Sequence, residues 1–157
     1  MRLTAPLAAM FAALAAVGLS AGPAHAQACT GRPSATRFTV IVDNVRSSNG
    51  LIAVTLYADD ASKFLARRGS LYVGRVPARQ GVTRVCIHLP RPGTWAFGAY
   101  HDEDSNRVIN RDSLGRPLEG FGFSNNPSTL FSIPAFRSVR MQVPRTNMET
   151  NVRLRYR

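Results

Sequence analysis

Lysine is almost missing from this chain: Lys63 is the only one, and arginine carries nearly all the positive charge. Acidic residues are scarce as well, 9 against 20 basic ones, for a formal charge of +11. This balance excludes an acidic solvating tail and permits attraction to polyanions. The arginines are dispersed rather than gathered into one basic segment, as Arg67, Arg68, Arg137, Arg140, Arg145, Arg153, Arg155 and Arg157 show. Any polyanion affinity is therefore expected to be weak and salt-sensitive.

Histidine and cysteine are equally sparse, with 3 and 2 copies. The three histidines, one of them in the N-terminal segment, give no ligand pair at metal spacing, which argues against a zinc site. The catalytic frames G-x-S-x-G and H-E-x-x-H do not occur. Only one long apolar run exists, Leu7 to Leu19, preceded by Arg2 and followed by Ala24-His25-Ala26. A positive start, an apolar middle and a small-x-small end describe a signal peptide, residues 1–26, cleaved after Ala26. Pro23 and His25 interrupt the run before the roughly 20 apolar residues that a membrane span needs. In Ala26-Gln27-Ala28-Cys29 an alanine stands where a lipobox carries leucine, so lipid attachment at Cys29 is the lesser alternative. The expected product is periplasmic or secreted, without a transmembrane segment. There, Cys29 and Cys86 are expected to form a disulfide that pins an N-terminal arm, residues 27–35, to a strand. The alternative is that Cys86, within Val85-Cys86-Ile87, is a buried small hydrophobe.

Alternation with period two dominates the rest. Strands are expected at 37–42, 51–57, 71–76, 82–89 and 94–100, with shorter ones at 129–133, 138–143 and 151–156. Asn49-Gly50 has the character of a tight hairpin turn between the first two. Asp59 or Asp60 would cap a short helix running to Arg68, with Phe64 and Leu65 turned inward. Residues 36–157 are thus expected to form an all-β, single antiparallel immunoglobulin-like or transthyretin-like sandwich of about seven strands. Its core should draw on Phe38, Val40, Val42, Ile52, Val54, Leu56, Val85, Ile87, Trp95 and Phe97.

The segment 101–126 is too long and polar for an idle connection. It places oxygen-bearing side chains at Asp102, Asp104, Asn106, Asn110 and Asp112, a spacing that turns several hard ligands toward one centre and suits Ca²⁺. Arg107 stands where such a loop prefers glycine, and Ser113 where it prefers a closing glutamate. Asp112 or Glu119 would have to close the site by folding back. The competing reading is that these groups make local turns and are neutralised by Arg107, Arg111 and Arg116, with no firm cofactor. Glu119 is expected to brace the loop by accepting backbone hydrogen bonds. A catalytic use would recruit His101 and the acidic residues, with Ser124 as nucleophile.

The residues Leu89-Pro90-x-Pro92-Gly93-Thr94-Trp95-Ala96, His101-Asp102-x-Asp104-x-Asn106 and Gly115-x-Pro117-x-Glu119-Gly120-Phe121-Gly122-Phe123-Ser124-Asn125-Asn126 resemble an exported bacterial family catalogued only as a domain of unknown function. The resemblance runs from about Phe38 to Tyr156. It implies a small extracytoplasmic β protein in which His101, Glu119, Phe121, Phe123, Ser124 and Asn125 belong to a binding or structural loop. It also implies glycine at the position of Arg107 and aspartate at that of Asn110. The leading expectation is a non-enzymatic envelope protein that meets an unknown partner or ligand through residues 101–126. The alternatives are an envelope hydrolase or lyase using His101 and the acidic loop, and a basic polyanion binder.

Overall fold

The structure is a computed structural model that describes residues 28–129 and 133–156. The signal peptide with its cleavage after Ala26 lies outside the described residues, as does most of the strand expected at 129–133.

Two sheets face each other. One holds β4 (Gly81–Leu89), β1 (Thr36–Val45) and β8 (Met148–Arg153) in that order. The other holds β3 (Tyr72–Pro77), β2 (Leu51–Ala58), β5 (Gly93–Asp102) and β6 (Phe121–Phe123), with β7 (Arg140–Val143) also paired to β5. A four-residue helix, α1 (Phe136–Val139), leads into β7. The chain is thus an all-β sandwich.

The alternation in sequence is what makes the two sheets stick. Phe38, Val40 and Val42 of β1 face Ile52, Val54 and Leu56 of β2, with Val85, Ile87, Trp95 and Phe97 completing the layer, and all ten are buried. Phe38 stacks on Phe97 with ring centroids 4.8 Å apart, tying the middle strand of one sheet to that of the other. Each such side chain contributes about 1.5–3 kcal/mol on burial.

Cys29 and Cys86 are joined in a disulfide. Next to it, the Thr30 N–H donates to the Cys86 carbonyl at 2.8 Å and the His88 N–H donates to the Thr30 carbonyl at 3.0 Å. The arm thereby covers the free side of β4. Gly74 of β3 has no room for a Cβ, which would lie 2.5 Å from the Thr30 hydroxyl. The arm therefore closes the sandwich along its β3–β4 border.

Four expectations need correction. The sheets are not wholly antiparallel: β8 runs parallel to β1, from Phe38↔Met148 to Asp43↔Arg153. Asn49-Gly50 does not close a hairpin, because β1 and β2 belong to different sheets. It is a crossing link, in which Gly50 takes a φ of 66° and a Cβ would lie 2.0 Å from the Asp102 carbonyl oxygen. The segment from Asp59 to Arg68 is a run of turns and not a helix, with Leu65 and Arg68 at positive φ. Phe64 does turn inward, onto Tyr57, Phe123 and Phe136, while Leu65 stays exposed. Finally, Ser138 lies in α1, and the last strand starts at Met148 instead of Asn151.

Candidate functional site

β5 carries the chain straight into the polar segment, and its last two residues are wholly buried: His101 and Asp102. Both ring nitrogens of His101 are engaged. Nδ1 lies 2.9 Å from the Tyr156 hydroxyl and Nε2 lies 2.8 Å from the Asn49 carbonyl oxygen. The carbonyl accepts only, so Nε2 carries the proton and Nδ1 accepts from the tyrosine. Glu103 sits 3.5 Å from Nδ1 and forms a two-pronged ion pair with Arg46, whose guanidinium lies 4.6 Å from the centre of the Tyr156 ring. That arginine holds the Glu103 carboxyl below its ordinary range. Arg46 and Glu103 went unremarked in the sequence because nothing local connects them.

Glu119 returns to the start of the loop. Its Oε1 accepts the Glu103 N–H at 3.2 Å and its Oε2 accepts the Asn110 N–H at 3.0 Å. One buried side chain thus clamps both ends of the 103–110 stretch. Burial pushes its carboxyl upward, against those two hydrogen bonds, and the charges of Asp102 and Asp104 add to the rise.

Asp102, Asp104 and Glu119 each present a carboxylate oxygen, and these oxygens lie within 4.8 Å of one another. Asp102 Oδ2 accepts the Arg107 N–H at 2.9 Å. Asp104 Oδ2 accepts from the side-chain amides of Asn106 at 2.9 Å and Asn110 at 2.8 Å, and the Asn110 bond in particular keeps its carboxyl low. Asn106 and Asn110 therefore steady Asp104. Asp112 stands apart: it accepts from the Arg116 backbone at 2.9 Å and its guanidinium at 2.6 Å, closing a separate turn. Arg107, where glycine would be easiest, takes a φ of 66°.

The Glu119–Asn126 stretch is a buckle. Gly120 leaves space for the Tyr156 ring, which a Cβ would meet at 2.3 Å, and Gly122 lets the Arg153 carbonyl approach to where a Cβ would lie 2.4 Å away. Ser124 is wholly buried, accepts the Phe97 N–H at 3.0 Å and donates to the Val139 carbonyl. It makes no contact with His101, so the two do not form a nucleophile–base pair. Asn125, at φ 63°, donates to the carbonyls of Ser138 and Arg140.

Phe121 and Phe123 have a second use. With Thr55 and Tyr57 of β2 and Gly98 and Tyr100 of β5 they line a cavity of about 350 Å³, roofed by Ile109, Arg111, Arg116 and Pro117 of the loop. It lies on the face of the sheet opposite the core. The sign in the sequence was β5, whose outward positions Ala96, Gly98 and Tyr100 are as apolar as its inward ones.

No curated protein and no solved structure matches the chain significantly. A family model described as "uncharacterized protein conserved in bacteria (DUF2141)" matches residues 40–151, from the middle of β1 into β8 and across the whole polar loop, and the chain belongs to that family.

Proposed function

We propose that this protein is an exported, non-enzymatic β-sandwich that binds an amphipathic anion in the cavity beneath the 101–126 loop. The observation that carries the reading is the cavity itself: an aromatic and glycine floor on the sheet, and over it a braced loop that contributes two arginines. A pocket of this size with an apolar lining and a few charged groups is the usual form of a small-molecule site. Arg116 is oriented by Asp112, and Arg111 donates to the Gly115 carbonyl at 2.8 Å, so both guanidiniums are held in place. Leu65 and Ile133, which also line the cavity, remain exposed, an apolar fringe suited to contact with an acyl or aromatic body.

The test uses a dansyl-labelled long-chain carboxylate and its uncharged amide. The carboxylate should bind and the amide should bind at least about tenfold more weakly, the loss of one charge-assisted contact. Gly98→Val, which adds a side chain to the cavity floor, should reduce carboxylate binding. Equal binding of acid and amide, or unchanged binding in Gly98→Val, would sink the reading.

A further inference from the structure

We propose that Asp102, Asp104 and Glu119 bind a hard divalent cation of the calcium class at the base of the loop. The site is separate from the cavity, which none of the three lines. The case starts from a charge imbalance. In a chain of formal charge +11, three carboxylates converge, and among the described residues none of them forms an ion pair with an arginine, lysine or histidine within 4.0 Å. Arginines are abundant in the same loop, yet Arg116 pairs with Asp112 and Arg111 with a carbonyl.

A second observation points to a ligand. Asp102 is wholly buried, and its Oδ1 is shielded from solvent without any hydrogen-bond partner. A buried carboxylate oxygen left bare is costly, and the Asp104 and Glu119 carboxylates that share its cluster are acceptors, which cannot relieve it. The remedy is a positive charge with no hydrogen-bond directionality. Oxygens within 4.8 Å of one another can all stand at about the 2.3–2.6 Å reach of calcium–oxygen bonds around one centre, or within a small adjustment of it. Magnesium would demand stricter octahedral geometry, whereas calcium accepts an irregular set of carboxylates completed by water. Glu119, arriving from the far end of the loop, takes the closing position that Asp112 does not fill.

The experiment is thermal unfolding of the processed protein in chelator and in rising CaCl2, with NaCl controls at matched ionic strength. Calcium should raise Tm by roughly 3–8 °C at about 20 mM, the rise setting in at a concentration on the order of 10⁻⁴–10⁻³ M and growing with the logarithm of calcium above it. Asp104→Asn should abolish the rise; Asp104 is exposed, so the variant should still fold. Glu119→Gln should abolish it too, and Asp112→Asn should keep it. No rise up to about 20 mM calcium, well above the weakest affinities of extracellular calcium modules, would overturn the proposal. So would an equal rise in NaCl, or a rise that survives Asp104→Asn.

Discussion

Glu119 is the residue whose ionisation should be felt most widely, because its carboxyl is raised while Glu103, Asp104 and Asp112 are lowered. With cations removed by chelator, the folded protein above the raised value holds a Glu119 charge that burial disfavours. As pH falls through the raised value, the folded state takes up a proton before the unfolded state does, and stability rises. Below the ordinary carboxylate range the trend reverses: the stabilisation from the three lowered groups is lost as pH falls through their folded values. Stability should therefore pass through a maximum on mild acidification. Glu119→Gln should remove the rising limb, measured by urea unfolding between about pH 7 and pH 3. A rising limb unchanged in that variant would assign it to another group. The alternate carboxylates from Asp102 onward were legible in the sequence as a potential convergence. Which of them converge was not, because Asp112 is captured by its neighbour Arg116 while Glu119 arrives from farther along the chain.

Among the elements, the arm and β4 stand or fall together. The disulfide closes a span of 57 residues, and in the chain-entropy model it contributes about 4 kcal/mol. Cys29→Ser with Cys86→Ser should lower stability by an amount approaching that figure, and reductant should lower the Tm of the parent protein but not of the variant. A Tm indifferent to reductant would mean that the hydrogen bonds of Thr30 and Ser34 to β4 hold the arm without the disulfide. The strands themselves were readable: the expected 51–57 is Leu51–Ala58, and the expected 94–100 is Gly93–Asp102. Alternation records which side chains leave water, and water acts on every strand alike. It does not record partners. Asn49-Gly50 has hairpin chemistry but serves a crossing link, since β2 pairs with β3 and β5 over much longer separations. The first half of β8 escaped notice because Glu149 and Thr150 are polar. Its place is set by β1 alongside, not by its own composition.

At the scale of the whole molecule, the positive charge is a field more than a site. Ion pairs such as Arg46–Glu103, Arg140–Asp59 and Arg84–Glu149 are scattered over the surface, and the unpaired arginines are scattered with them. Retention on heparin should accordingly be lost before NaCl reaches about 0.3 M. Replacing Arg153, Arg155 and Arg157 with Gln should shorten retention no more than replacing Arg67, Arg68 and Arg137. Complete loss from the first set alone would reveal a localised patch. The parallel pairing of β1 with β8 has a consequence for how the chain comes to be folded. Asn44 donates to the Leu154 carbonyl across 110 residues, and the sheet lacks its edge strand β8 until that late segment arrives. A ribosome or a translocation pore releases the two halves of that ladder at opposite ends of the process. The nascent chain should thus stay protease-sensitive until β8 has been released, and then become resistant in a single late step.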